Sequence, residues 1–273
     1  MDRLSVLLGH FGVQAGTFFS GAFCGLEAFG QEGHSGHVHL LQGGRVGLRM
    51  GDGSHWTLEE PSLAFFPRPY PHRLESAEGD GTRLVCATLA FGGASGNPLA
   101  GALPDYLVLP LKDVPLLAGN LDWLFAEAFG EECGRRAVMD RLFELLVIQL
   151  LRHLLAHRGL ATGMLAGLAD PRLSRALNLM HEDPKHPWTV AELASAASMS
   201  RAAFAAHFRE VTGQTPADYL VQWRVGLAQK LLRDGRPIPH VADAVGYESP
   251  SALARAFRRK TGSSPREWLL AQG

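Results

Sequence analysis

The sequence predicts a two-domain α+β protein: an N-terminal β-barrel with helices after it, and a C-terminal all-α part built as a double helix-turn-helix. Three observations carry this. Residues 189–220 recur as 237–269 with one residue inserted at the turn. Val190, Leu193, Phe208, Gly213, Pro216 and Leu220 return as Ile238, Val241, Phe257, Gly262, Pro265 and Leu269. A repeat that keeps core, turn and helix-stop residues together describes a duplicated fold. Short β-prone runs separated by Gly, Pro and Asp fill the N-terminal part, the spacing of an antiparallel barrel. Charge also divides the chain: of 26 Lys+Arg and 27 Asp+Glu, residues 170–273 hold 14 and 10, so this part carries +4 and the remainder −5.

Taken in order, the strand-like runs are 17–23, 38–42, 46–50, 62–66 and 83–91, and Gly43-Gly44 offers a two-residue hairpin turn. Helical periodicity follows over 116–129 and 136–157. In the second stretch Val138, Met139, Leu142, Leu145, Leu146, Gln149 and Leu150 form an apolar face broad enough to cover the barrel or to pair with its copy in a homodimer. Residues 159–169 are small and linker-like, ending at Asp170-Pro171, a cap and first-turn pair for the next helix. No apolar run approaches a membrane span and no signal-peptide pattern opens the chain, so the expectation is a cytoplasmic protein with no membrane partner.

The duplicated unit carries its own punctuation. Thr189 with Glu192 is a capping box, Ser200 and Ser249 are N-caps, and Pro250 occupies a first helical position where a missing N–H costs nothing. Gly213 and Gly262 sit where a left-handed residue ends each long helix. The result is short helix, tight turn, long helix, twice over: the helix-turn-helix, whose second helix enters the DNA major groove. On the first such helix Phe204, Phe208 and Val211 face inward, leaving Ala202, Ala205, Ala206 and Arg209 outward. On the second, Leu253 and Phe257 face inward while Ser251, Ala254, Arg255 and Arg258 face outward. Arg255 is placed to read a guanine edge, because a planar fork matches the two acceptors there. Arg201, Arg209, Arg258, Arg259 and Lys260 are placed to hold phosphates. Between the copies, Tyr219, Trp223, Leu227 and Leu231 mark one stripe of a connecting helix. The partner implied is double-stranded operator DNA.

Leu193-Ala194, Met199-Ser200-Arg201, Phe208-Arg209, Thr212-Gly213 with Pro216, Val245-Gly246-Tyr247 with Ser249, Phe257-Arg258, and Gly262 with Pro265 together resemble the DNA-binding domain of the AraC/XylS family of bacterial transcription regulators. The resemblance covers 171–269. It implies base contacts at Ala202, Ala205 and Ala206 in the first unit and at Pro250, Ser251, Ala254 and Arg255 in the second. It also implies a bacterial, nucleoid-associated activator that works with RNA polymerase. On this basis the chain divides into a sensory barrel (1–110), a helical or dimerisation segment (111–158), a linker (159–170) and a DNA-binding domain (171–273).

His37-Val38-His39, with Pro61, Pro67 and His72, resembles the cupin-type sensory domain carried by many AraC-family regulators. Gly43 and Gly44 stand where a cupin enzyme carries glutamate. The alternative function, a metal-dependent cupin enzyme fused to a DNA-binding module, therefore lacks a carboxylate, and no catalytic turnover is expected. Alternation puts His37 and His39 on one strand face, and Cys24 and Cys86 are expected on neighbouring strands. With His72 these residues form a candidate set for zinc or another transition metal, or for redox chemistry. The stretch from Pro71 to Leu74 and Val85-Cys86 resemble family members that respond to reactive chlorine species through cysteines matching Cys24 and Cys86. That likeness implies oxidation of these thiols as a switch.

Overall fold

The computed structural model describes residues 2–30, 35–92, 97–157 and 162–271. It divides into two compact units. One holds Val13–Ala94 with Leu103–His157, and the other holds Met1–Gly12, Ser95–Ala102 and Arg158–Gly273.

The first unit is built on nine strands: β1 (Val13–Ala22), β2 (Gly25–Phe29), β3 (Gly36–Gly43), β4 (Val46–Met50), β5 (His55–Leu58), β6 (Ser62–Phe66), β7 (His72–Ser76), β8 (Arg83–Phe91) and β9 (Leu107–Pro110). They form two antiparallel sheets of order β1-β8-β3-β6-β9 and β2-β7-β4-β5. Inward residues of both sheets share one core: Leu41, Ala64, Phe66, Leu84 and Cys86 from the larger sheet, and Val46, Leu48, Met50, Leu58 and Leu74 from the smaller.

The five strand-like runs expected from the sequence lie within β1, β3, β4, β6 and β8, with 17–23 running one residue past the end of β1. The hairpin expected at Gly43-Gly44 does not form. β3 pairs with β6 and β8, while β4 pairs with β5 and β7, so the chain crosses there from one sheet to the other. Gly44 makes that crossing at φ +85, where a Cβ would lie 2.5 Å from the Gly81 backbone. The Arg45 carbonyl accepts from the hydroxyls of Ser76 and Thr82.

Two helices complete this unit, α3 (Ala118–Phe129) and α4 (Arg135–His157). α4 packs on α3 and on β1. Its inward stripe is Met139, Leu142, Phe143, Leu146, Leu150 and Leu154, rotated from the expected face so that Leu145 is exposed. β1 is an edge strand, and α4 supplies acceptors for its outward amides. Thr17 N–H donates to Asp140 Oδ1 at 2.6 Å and Ala15 N–H to Glu144 Oε1 at 3.4 Å. A covered edge of this kind does not recruit foreign strands.

The second unit is all-α: α1 (Ser5–His10), α2 (Pro98–Gly101), α5 (Met164–Ala169), α6 (Ser174–Glu182), α7 (Val190–Ala196), α8 (Arg201–Thr212), α9 (Pro216–Arg233), α10 (Ile238–Ala244), α11 (Pro250–Thr261) and α12 (Pro265–Leu270). The caps stand where the sequence places them. Thr189 and Glu192 form the capping box of α7, Ser200 and Ser249 cap α8 and α11, and Gly213 and Gly262 end them in the left-handed region.

Three features differ from the sequence reading. Part of the expected linker, 164–169, is helix α5 with Leu165 and Leu168 buried, because its apolar residues pack on α6 and α8; 159–161 lie outside the described residues. The first residues of the chain belong to this unit and not to the barrel: Leu7 and Phe11 are buried, and the Phe11 ring meets Trp223 of α9 edge-on at 5.3 Å. Residues 97–102 belong here too, with Asn97 capping α2. A six-residue helix such as α1 does not hold in water alone, so its buried Leu7 and the Phe11 that follows its end fix it by docking.

Candidate functional site

α8 and α11 are fixed from beneath. Phe204 and Phe208 of α8 are fully buried, and Phe208 meets Tyr219 of α9 edge-on at 5.5 Å. In the second copy Leu253 and Phe257 are buried, and Phe257 packs on Trp268 of α12 at 5.7 Å. These contacts leave the opposite faces to solvent. Arg201, Ala202, Ala206 and Arg209 are exposed on α8, and Ser251, Arg255, Arg258 and Arg259 are exposed on α11, with Ala205 and Ala254 half-buried between them. Val211, expected inward, is only half-buried. α9 contacts α8, α10, α11 and α12, and its 18 residues span about 27 Å at 1.5 Å per residue.

The cations on these faces are not equivalent. Arg258 pairs with Glu267 of α12 at 3.2 Å. Among the described residues Arg201, Arg209, Arg255, Arg259 and Lys260 have no ion pair. An exposed ion pair contributes little, so Arg258 can be drawn away by a phosphate, but it starts engaged. Arg255 starts free.

In the barrel, β3 sets His39 directly opposite Cys86 of β8 and Ala64 of β6, with His37 opposite Thr88 and Phe66. His39 and His72 are both buried, and their Nε2 atoms lie 2.8 Å apart. His72 Nδ1 lies 2.7 Å from the Tyr70 carbonyl, which can only accept, so His72 carries its proton on Nδ1. Its Nε2 is then the acceptor and His39 donates from Nε2, leaving His39 Nδ1 buried without a partner. Burial holds His39 well below the usual imidazole range and pulls His72 down to about 4. His72 also stacks on Phe66 at 3.7 Å. The same burial pushes the Cys86 thiol up.

The expected five-residue metal or redox cluster is only partly gathered. Cys24 lies in the connection between β1 and β2 and is exposed, whereas Cys86 is buried in the core. Among the described residues no group of three His, Cys, Asp or Glu side chains is arranged to hold a metal ion. His37 packs beside the pair, its ring centroid 5.5 Å from that of His72 and 6.0 Å from that of His39, but a closed structural zinc site needs four ligands and three imidazoles without Cys24 do not complete one. The donor set does not fit a resident zinc ion. Strand alternation placed the histidines correctly, but Cys24 sits where the strand has already ended.

The sequence reading missed a cavity of about 220 Å³ beside Cys86, walled by Phe18, Phe19, Phe23 and Phe29, with Glu27 among its lining residues. The register shift between Thr17 and Phe19 lets two consecutive phenylalanines border the same space. Glu27 and Phe29 share one face of β2 through pairing with Leu74 and His72 of β7, which no local sequence pattern announces.

Residues 2–156 match the cupin family, and residues 193–271 match the helix-turn-helix domain family. A putative AraC-like transcription regulator of Streptomyces antibioticus is 35% identical over 209 residues, covering 75% of this chain and 69% of that protein. The RCS-specific HTH-type transcriptional activator RclR of Escherichia coli K12 is 32% identical over 235 residues, covering 84% of this chain and 82% of that protein. Among solved structures, the DNA-binding domain of AdpA in complex with a target DNA is 37% identical, covering 37% of this chain and 92% of that one, at a TM-score of 0.35.

Proposed function

Because this chain belongs to the AraC family of DNA-binding transcription regulators with an N-terminal cupin-like ligand-sensing domain, we propose that it activates transcription by reading an operator through α8 and α11 together. The observation that carries this reading is the pair of solvent-facing helices, each anchored from behind by buried phenylalanine and each opened by a serine cap. Arg255 reads base edges from α11. Ala202, Ala205 and Ala206 offer apolar contact, suited to thymine methyl groups, while Arg201, Arg209 and Arg259 hold phosphates and fix register. Arg258 joins them once it leaves Glu267. The name of one relative, a transcriptional activator, supports activation, and we propose RNA polymerase as the partner through which it acts. The protein acts on the nucleoid and has no catalytic turnover of its own.

The test is Arg255→Ala, measured by competition between the operator and single-base variants of it. A loss of about 1–3 kcal/mol in discrimination at one base pair is expected. Undiminished discrimination would overturn the assignment.

The sensory half offers two sources of control. A small molecule entering the 220 Å³ cavity is the first. The second is oxidation. Phe23, next to the exposed Cys24, lines the same cavity as the buried Cys86, so a change at either thiol reaches one shared wall. Treatment with mild oxidant followed by mass spectrometry should show a Cys24–Cys86 product that Cys24→Ala abolishes; unaltered masses and unaltered operator binding would remove this route. Exposed Trp123 on α3 and Leu145 on α4 support homodimer formation through the helical pair. Leu145→Lys should then lower the sedimentation mass of the protein.

A further inference from the structure

The cavity beside Cys86 has an unusual chemical balance. Four phenylalanines, Phe18, Phe19, Phe23 and Phe29, border it, and among the described residues Glu27 is the only acidic or basic side chain lining it. Register shows how Glu27 comes to be there. Glu27 pairs with Leu74 of β7, and directly opposed residues project to the same face of a sheet. Leu74 is a buried core residue, so Glu27 lies on the inner face of β2, where it is exposed at the rim of the cavity. Leu26, its neighbour on the other face, is 58% exposed. Among the described residues Glu27 has no ion pair.

The inner end of the cavity is uncharged. Burial keeps the Cys86 thiol protonated, and the imidazoles of His39 and His72 beyond Phe29 are neutral at pH 7. The exposed carboxylate at the rim and the aromatic rings of the cavity are therefore met by no fixed cation among the described lining residues. An anionic occupant would be repelled by that carboxylate, and a neutral one would gain only apolar contact. A cation would instead meet it and the negative faces of the phenylalanine rings. The volume, about 220 Å³, falls below the range of roughly 300–1,000 Å³ typical of drug-sized ligands.

We infer that the barrel cavity binds a small hydrophobic organic cation, an alkyl- or arylammonium group held between Glu27 and the rings of Phe18, Phe19, Phe23 and Phe29. The inference rests on the reading of the barrel as the sensory half and names the class of effector it takes. The rings supply apolar contact and cation–π attraction, and Glu27 supplies charge selectivity.

Titration calorimetry on the full chain, without DNA, tests this with three probes of matched size: benzylammonium, benzyl alcohol and phenylacetate. Benzylammonium should bind at least tenfold more tightly than benzyl alcohol, with phenylacetate weakest. Glu27→Gln should erase the preference for the amine, Glu27→Asp should keep it, and Phe23→Leu should weaken the amine severalfold. Thermal melts of each variant confirm that the barrel is intact. Equal binding of amine and alcohol, a preference that survives Glu27→Gln, or no binding of any probe would overturn the inference. Because the readout omits DNA, its failure leaves operator recognition standing, and a failed Arg255 test leaves the cavity result standing.

Discussion

Arg255 and Arg259 stand four residues apart on α11 and are both exposed, yet they are assigned different work. A base-edge contact and a phosphate contact separate in measurement. Arg259→Ala should weaken binding to all sequences alike and lower the slope of log affinity against log salt by about 1, whereas Arg255→Ala should relax sequence choice. A uniform loss for both residues would show that neither reads bases. The alanines of α8 carry no hydrogen-bonding group, so most hydrogen-bonded readout falls to α11. Buried histidines make a second residue-scale prediction. Burial pulls His72 down to about 4 and His181, whose Nε2 lies 2.6 Å from the Tyr219 hydroxyl, down to about 3. Both rings are neutral in the native state and bind protons on unfolding once the pH falls below about 6.5. The unfolded state then holds more protons, so stability falls as pH drops from 6.5 toward 4 in each unit. Denaturant midpoints measured at pH 7.5, 6, 5 and 4 should decline in that order, and a flat profile would contradict the burial of these rings.

At the scale of elements, the helices of the duplicated unit were legible because their ends are written in local chemistry. A serine hydroxyl accepts from the third backbone N–H beyond it, a proline occupies the first turn, and a glycine closes the last. Gly262 sits at φ +82 with open space where a Cβ would stand, so Gly262→Ala carries only the backbone penalty of about 1–2 kcal/mol. At Gly44 the backbone stands in the way as well, and Gly44→Ala should cost more than Gly262→Ala in thermal denaturation. Strands β2, β5, β7 and β9 were not legible. Each is four or five residues long, too short for alternation to separate strand from loop, and β2 is mostly exposed, so no apolar face marks it. Likewise α4 was legible as a helix but its buried side was not, since apolar residues surround it and packing on α3 and β1 decides which of them face inward. The role of α1 depends on partners more than 160 residues away. Phe11→Ala should destabilise the DNA-binding unit by about 3–5 kcal/mol, read as loss of hydrogen-exchange protection in α6 and α9. Unchanged protection there would mean that α1 is not part of that unit's core.

Over the whole molecule, the sequence separates a basic duplicated half from an acidic β-rich half, and the structure keeps that division while redrawing its borders. Residues 2–12 and 97–102 belong with the DNA-binding helices, so the chain passes between the units four times: after 12, before 97, after 102 and after 157. Composition cannot show this, because short segments contribute little to the charge of either half and their docking is set by shape. The candidate site divides in the same way. The DNA-reading faces follow from helical periodicity alone, whereas the cavity, Glu27 and the His39–His72 pair arise from register between strands far apart in sequence. The central claim is that two helices of one chain read successive major-groove segments on one face of a duplex. Hydroxyl-radical footprinting of the full chain on its operator tests it most directly. Two protected segments about 10 base pairs apart are expected, both lost when 5 base pairs are inserted between them. A single protected segment, or protection unaffected by the insertion, would contradict the account.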